Sequence, residues 1–266
     1  MLASLPMYDL PEVGAATDAW WRGVASTLRR AGLDAVPEAL TRDADVDVWH
    51  SQELLLSQTC GYPLTHALAG VVALVATPVY SASGCSGADY CSLIVVSEDN
   101  PAAALEDLRG GVCAYSRRHS HSGYNALRAV VAPLADGGAF FSRVVESGAH
   151  PVSIALVANG EADVCAVDCV THALLAKHRP DALGGTRVLA ATERAPGLPY
   201  VTRAGIDDDS LSRLRDGLQM AFSDPRLADV RDTLLLTGMQ VLGDDAYRRI
   251  DDMEDSARAT GYAEIH

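Results

Sequence analysis

The stretch Gly111 to Ala135, GVCAYSRRHSHSGYNALRAVVAPLA, decides how the chain is read. It begins with a strand-like run, Gly111 to Tyr115, and ends in a helix-like run, Gly123 to Ala135. Tyr124, Leu127, Val130, Val131 and Leu134 fall at the spacing of one apolar helix face, and Asp136-Gly-Gly138 stops it. Between them lies YSRRHSHSGYN, Tyr115 to Asn125, with two arginines, two histidines, three serines and one glycine. A strand that turns into a helix through small hydroxyl residues offers unpaired backbone N–H groups, and the helix dipole adds partial positive charge. The chemistry expected of this loop is to grip a small anion.

The alternation of strand and helix continues on both sides. Leu2 to Met7 reads as a strand ended by Tyr8-Asp9-Leu10-Pro11, and Thr17 to Ala31 as a helix with Trp20, Val24, Leu28 and Ala31 on one face. Glu53 to Ser57 is a short strand, Leu64 to Ala69 a short helix, and Val71 to Ala76 a continuous apolar run. Tyr90 to Ser97 is another apolar strand, and Val152 to Ala158 and Cys169 to His178 are helices. Val164 to Val167 and Arg187 to Ala191 are further strands. The remainder reads as helical, at Asp209 to Phe222, Pro225 to Leu236 and Ala246 to Ala259. Such alternation predicts an α/β fold with parallel-type sheets.

Two segments interrupt the pattern. Thr77 to Ala88 is rich in small residues, and Thr192 to Tyr200 is proline-rich. Read as crossings, they divide the chain into a discontinuous first lobe, residues 1–80 plus 200–266, and a second lobe, residues 81–199.

Composition bounds the function. The 266 residues carry a formal net charge of −14, with 48% apolar and 21% charged residues. That balance fits a globular protein with a real core and argues against nucleic acid and anionic membrane surfaces as partners. It does not argue against a small anion held in a local basic pocket. No run approaches the roughly 20 apolar residues that span a bilayer, so no membrane insertion is expected. The N-terminus, MLASLP, shows neither a basic region nor a long apolar one. The expected location is periplasmic if a leader has been removed and cytoplasmic otherwise. None of the six cysteines forms a CxxC pair, and a bridge between Cys60 and Cys85, both in glycine-rich loops, stays open. Cys165 and Cys169 straddle a strand end and read as buried small residues.

Five segments carry a resemblance. LLLSQTCGYPL (Leu54 to Leu64), TPVYSASGCSGADYCS (Thr77 to Ser92), SHSGYNALR (Ser120 to Arg128), FFSRVVESGAHPVSIALVANGEADVCAVD (Phe140 to Asp168) and PGLPYVT (Pro196 to Thr202) resemble the PhnD-like phosphate/phosphonate substrate-binding proteins of ABC transporters. The similarity covers about residues 3 to 225, in the family's order. It implies a two-lobed type II periplasmic-binding-protein fold with mixed sheets and a hinge. It further implies a non-enzymatic receptor that captures phosphate, phosphite or an organophosphonate in the interlobe cleft and passes it to an ABC-transporter permease, with no cofactor. An enzyme on the same fold, lyase-like or thiamin-pyrimidine-synthase-like, and a soluble ligand sensor are the alternatives. No GxSxG, HExxH or Walker-type loop supports the enzyme.

Loops at strand ends supply the candidate ligand residues. Ser120 and Ser122 would donate hydroxyls beside the N–H groups of Ser122, Gly123 and Tyr124, with His121 adding charge if protonated. The competing reading of the serines is an ordinary N-cap, worth about 1 kcal/mol. His119 and His121 with His150 lack a clear metal-ligand pattern. Ser57, Gln58 and Thr59 follow one strand, Tyr8 and Asp9 another, and Tyr80 lies at the first crossing. Asp168 would receive a ligand amino group or cap the next helix, and Glu193 is a weaker candidate for the same role. Of Arg117 and Arg118, at most one is expected to face a ligand.

Overall fold

A computed structural model describes residues 1–266, which form two units. The first comprises residues 1–81 and 197–246, the second residues 82–196 and 247–266. The chain starts with β1 (Leu2–Ser4), α1 (Gly14–Arg30), β2 (Leu54–Gln58), α2 (Gly61–Thr65) and β3 (Val72–Tyr80). It enters the second unit with β4 (Asp89–Tyr90), β5 (Ser92–Ser97), β6 (Val112–Tyr115), α3 (Ala126–Val131) and β7 (Arg143–Glu146). There it continues through α4 (His150–Ala158), β8 (Val164–Asp168), α5 (Cys169–His178), β9 (Thr186–Ala191) and β10 (Ala195–Pro196). It returns as β11 (Tyr200–Arg203), α6 (Asp208–Ser223), α7 (Ala228–Thr233) and β12 (Leu236–Gln240), and closes on α8 (Asp244–Ala259).

Each unit is built on one five-stranded sheet, ordered β1-β2-β11-β3-β12 in the first and β7-β6-β8-β5-β9 in the second. Both sheets are mixed. In the first, β1 and β2 are parallel, while β11 runs antiparallel between β2 and β3. In the second, β6 is parallel to β7 and β8, while β5 runs antiparallel between β8 and β9. β11 and β5 are the strands by which the chain threads into each sheet after crossing from the other unit.

The cores explain why these segments fold as they do. In the first unit Trp20, Trp21 and Leu28 of α1 are buried together with Leu54 to Leu56 of β2 and Leu214 and Leu218 of α6. Each large apolar side chain so buried contributes about 1.5–3 kcal/mol. Trp20 also stacks at a tilt on Phe222, centroids 4.9 Å apart, and donates its Nε1–H to the Tyr200 hydroxyl at 3.2 Å. In the second unit Ile94, Cys113, Leu127, Phe140, Val164 and Tyr262 belong to one buried cluster.

Several expectations change. Residues 247–266 pack into the second unit, not the first. The stripe Tyr247, Ile250, Glu254 and Ala257 of α8 is buried there. Its Glu254 meets the equally buried Arg128 at 3.2 Å, and Arg128 donates to the Ala263 carbonyl at 2.7 Å. β11 starts at Tyr200, the last residue of the segment read as link, and β12 starts at Leu236, where the predicted helix ends, so beyond those first residues both strands fall where no element is assigned. Leu235, at φ 59°, turns the chain out of α7 into β12. β7 went unread because its residues are exposed or half-buried. All six cysteines are free thiols, so no bridge joins Cys60 to Cys85.

Candidate functional site

The second-unit loop is organised by a helix start. β6 is buried from Cys113 to Tyr115, and its chain is fastened to the turn before α4 by bonds from Ser147 N–H to Tyr115 O and Gly148 N–H to Ser116 O, both 2.8 Å. Residues His121–Asn125 then form one widened π-type turn, in which Asn125 N–H donates to Ser120 O at 3.1 Å. Single π turns widen a helix and recur at functional sites. Ser120 is the N-cap: its Oγ accepts from the Gly123 N–H at 3.0 Å. The Gly123 N–H is therefore spent on the cap, contrary to the expectation that it meets a ligand. The Ser120 hydroxyl, accepting from Gly123, retains its own proton to donate.

Gly123 is required by close approach. A Cβ there would collide with Ser116 Oγ and come within 3.1 Å of His150 Cε1. His150 opens α4, and its Nε2 lies 3.0 Å from Ser122 Oγ. Burial pulls the His150 imidazole down to about 4, offset in part by the Ala166 backbone. A neutral imidazole carries one proton. On Nε2, it donates to Ser122 and leaves the hydroxyl proton to point elsewhere; on Nδ1, Ser122 donates to His150. His150 lies 28 residues beyond Ser122, and its only sequence signal is its place just before Pro151 where a helix begins.

His121 plays a different part from the one expected. It is 2% exposed, and burial holds it down to about 3, so it adds no positive charge near neutrality. Asn125 Oδ1 accepts from Arg128 at 2.5 Å, which fixes the amide. Asn125 Nδ2 then donates to the Ile250 carbonyl at 3.0 Å and toward His121 Nδ1 at 3.2 Å. An amide NH2 only donates, so Nδ1 accepts and the proton sits on Nε2. The Tyr124 ring belongs to the core, edge-on to Tyr115, and its hydroxyl accepts from Ile265 N–H at 3.1 Å. Arg117 donates to Gly148 O at 3.0 Å and Arg118 pairs with Glu264 at 2.9 Å, so both arginines tie loops together.

Asp168 ends β8 and caps α5. Its Oδ1 accepts from Val170 N–H at 2.7 Å and from Thr171 N–H at 3.0 Å, and the residue is 1% exposed. The capping reading is the one realised. Glu193 lies apart from these residues, at a depression of about 530 Å³ lined also by Val130, Arg194, Arg249 and Met253.

The first unit brings three of its six candidates together. Gln58, buried at the end of β2, donates its Nε2 protons to the Tyr80 hydroxyl at 3.1 Å and to the Leu198 carbonyl at 3.0 Å. Tyr80 meets Tyr8 edge-on, centroids 5.1 Å apart. Ser57 and Thr59 are buried beside Gln58, with Thr59 N–H held by Pro199 O at 3.1 Å. Asp9 is drawn away: Arg42 Nε donates to one carboxylate oxygen at 2.5 Å and Arg42 NH2 to the other at 3.2 Å. Asp9 thus closes a loop instead of lining the polar set.

Known proteins share the fold. The family model for the periplasmic substrate-binding protein of phosphonate ABC transporters matches residues 52–247. No curated protein matches the chain. Among solved structures, the binding-protein component of an ABC phosphonate transporter from Pseudomonas aeruginosa is 19% identical, with a TM-score of 0.77 over 98% of this chain and 87% of that one. PhnD1 from Prochlorococcus marinus, in complex with methylphosphonate, is 14% identical, with a TM-score of 0.75 over 97% and 98%. XAC2383 from Xanthomonas citri, bound to chloride ion, is 18% identical, with a TM-score of 0.72 over 98% of both chains. At these identities the likeness carries the fold, and the two-lobed architecture expected from the sequence is the one shared with them.

Proposed function

Because the chain belongs to the family of periplasmic substrate-binding proteins of phosphonate ABC transporters, we propose that it captures phosphate, phosphite or an organophosphonate with the helix start Ser120–Asn125. The observation that carries this reading is the Ser122–His150 pair, 3.0 Å apart at the starts of two helices. An oxyanion wants donors. It selects the tautomer with the proton on His150 Nε2, which donates to Ser122 and turns the serine proton toward the ligand. Ser120 supplies a second hydroxyl proton from its capping position. The partial positive charge of the helix starts adds to these donors, so no charged side chain is needed.

Gln58, Tyr80 and Tyr8, with Ser57 and Thr59, are proposed to supply the first unit's contacts to the ligand. Asp9 and Asp168 drop out of the proposed set, because their carboxylates are committed to Arg42 and to the cap of α5. No helix is long and apolar enough to cross a membrane. Delivery of the captured anion to an ABC-transporter permease completes the proposal.

Binding stabilises the folded state by mass action, by about 2.7 kcal/mol at a hundredfold excess over Kd. Thermal unfolding in phosphate, phosphite, methylphosphonate and an aminoalkyl phosphonate, with sulfate for comparison, is the direct test. At least one phosphorus oxyanion should raise the melting temperature and give a saturable calorimetric isotherm. If none does at millimolar concentration, the reading is wrong.

A further inference from the structure

Three of the six cysteines gather in the second unit, and the proposed ligand chemistry uses none of them. Cys85 Sγ lies 3.6 Å from Cys169 Sγ. A Cβ placed on Gly84 would stand 2.8 Å from Cys91 Sγ and 3.3 Å from Cys169 Sγ, so these two sulfurs crowd the same point. Gly84 is at φ +103°, a conformation that glycine adopts without strain, and its missing side chain leaves the room that the sulfurs share. The pairing of β5 with β8 sets Ser92 opposite Asp168, and Cys169 N–H donates to Cys91 O at 3.1 Å. Cys91 and Cys169 therefore sit at the same end of adjacent strands, and Cys85 reaches them from the small-residue loop Ser81 to Ala88. Cys91 is 4% exposed and Cys169 1%, whereas Cys85 is half-buried. Cys113 and Cys165 lie fully buried in β6 and β8.

From this geometry we infer that Cys85 and Cys169 are a dithiol that closes to a disulfide, with Cys91 as the third thiol able to exchange into it. The hydrogen bond to Cys169 and then burial push Cys91 up, and the hydrogen bond to Cys85 and burial push Cys169 up; Cys85, the only one of the three that is half-buried, is the accessible entry point. The oxidant is a small-molecule or protein disulfide. The Cys85 thiolate attacks one of its sulfurs, the oxidant's S–S bond breaks, and one thiolate leaves. Cys169 then loses its proton to water and attacks the Cys85 sulfur, expelling the second thiolate. Two protein thiols are oxidised and one external disulfide is reduced to two thiols. Attack of Cys91 on the Cys169 sulfur would move the bond to Cys91–Cys169 and return Cys85 to the thiol form, with no net redox change. Either bond fastens the residue after Asp168, and the 81–88 loop is tied to the start of α5 only in the first.

The test uses the full chain, reduced and then exposed to excess oxidised glutathione. Titration of thiols under denaturing conditions should fall from six to four, and peptide mapping without reductant should find Cys85 linked to Cys169, with Cys91–Cys169 as the minor species. The melting temperature should rise on the order of 5 °C and fall back on reduction. In Cys169→Ser, Cys85 should stall as a glutathione adduct; in Cys113→Ser, the count should still drop by two. Six thiols after oxidation, a persistent adduct on Cys85 in the unaltered chain, or a bond mapped to Cys60, Cys113 or Cys165 would each overturn the inference. Because no phosphorus oxyanion takes part, this outcome is independent of ligand binding.

Discussion

The two polar sets are built on opposite principles. In the second unit the candidates lie on a helix start, where backbone N–H groups and a capping serine do the organising, and a histidine from another helix orients Ser122. In the first unit they lie at strand ends, where one amide, that of Gln58, holds Tyr80 and Leu198 in place. The helix set is backed by buried ionisable groups, His121, Arg128 and Glu254, whereas Gln58 is backed by neutral hydrogen bonds. One set should therefore respond to charge and pH, and the other to the loss of a single amide. The three tryptophans, Trp20, Trp21 and Trp49, all lie in the first unit, so their fluorescence reports that unit, while far-ultraviolet dichroism reports both.

The largest effect is expected from Glu254→Ala. It leaves the Arg128 guanidinium buried without its carboxylate, a loss of about 3–5 kcal/mol. Urea unfolding by dichroism should shift to lower concentration ahead of the tryptophan transition. Coincident transitions shifted equally would mean that the two units respond as one, and the contrast would fail. Next comes acid. His121 is held at about 3 and His150 at about 4, below the ordinary 6.5. Between those values the unfolded chain binds protons that the folded chain refuses, so stability is lost as pH falls from about 6.5 toward 4. For His121 the loss should reach about 2 kcal/mol by pH 5. His121→Gln should flatten that slope in dichroism-monitored urea midpoints.

How far the sequence could be read follows the same contrast. Buried strands such as Val164–Asp168 announce themselves as apolar runs, and a serine before a glycine at a helix start announces a cap. β7, β11 and β12 did not, being short, and β7 and β12 also being largely half-exposed. The apolar spacing of α8 is legible, but spacing cannot say which core it faces. That is decided by Arg128, more than a hundred residues earlier, and by the carbonyls of Ile250 and Ala263 that Asn125 and Arg128 reach. Ser122 was legible and His150 was not, because their bond spans 28 residues of chain. The reading that at most one loop arginine faces a ligand could go no further, since charge in a sequence does not reveal that Gly148 and Glu264 already claim both side chains.

Two smaller effects probe the sets one at a time. Gln58→Ala removes the donor from a buried carbonyl and from a half-buried phenol, so it should cost about 1–2 kcal/mol in the tryptophan-monitored transition. If Gln58 is the hub, Gln58→Glu should be no better, since a carboxylate cannot donate to the Leu198 carbonyl. Ser122→Ala should leave both unfolding transitions near their original midpoints. Its effect belongs to binding, with affinity for the preferred oxyanion falling about tenfold, or about 1.4 kcal/mol. His150→Ala should weaken binding similarly, and the double variant should lose less than the sum, because the two side chains act through one hydrogen bond. Unchanged affinity in Ser122→Ala would reduce the loop to a helix cap.

The smallest effect should come from Asp9→Asn, and its smallness is informative. Asp9 stands directly after Tyr8, which packs on Tyr80, so proximity in sequence places it in the first unit's polar set. The geometry separates them, because Arg42 takes both carboxylate oxygens and also pairs with Asp18 at 2.6 Å. Arg42 is 42% exposed, so solvent screens the pair, and its loss should cost under about 1 kcal/mol. Asparagine keeps an acceptor for Arg42, which reduces the cost further. Calorimetric affinity for the preferred oxyanion should be the same in Asp9→Asn as in the original chain. A fall of tenfold or more would put Asp9 at the ligand after all, and would mean that the first unit, unlike the proposed set of the second, uses a charged group.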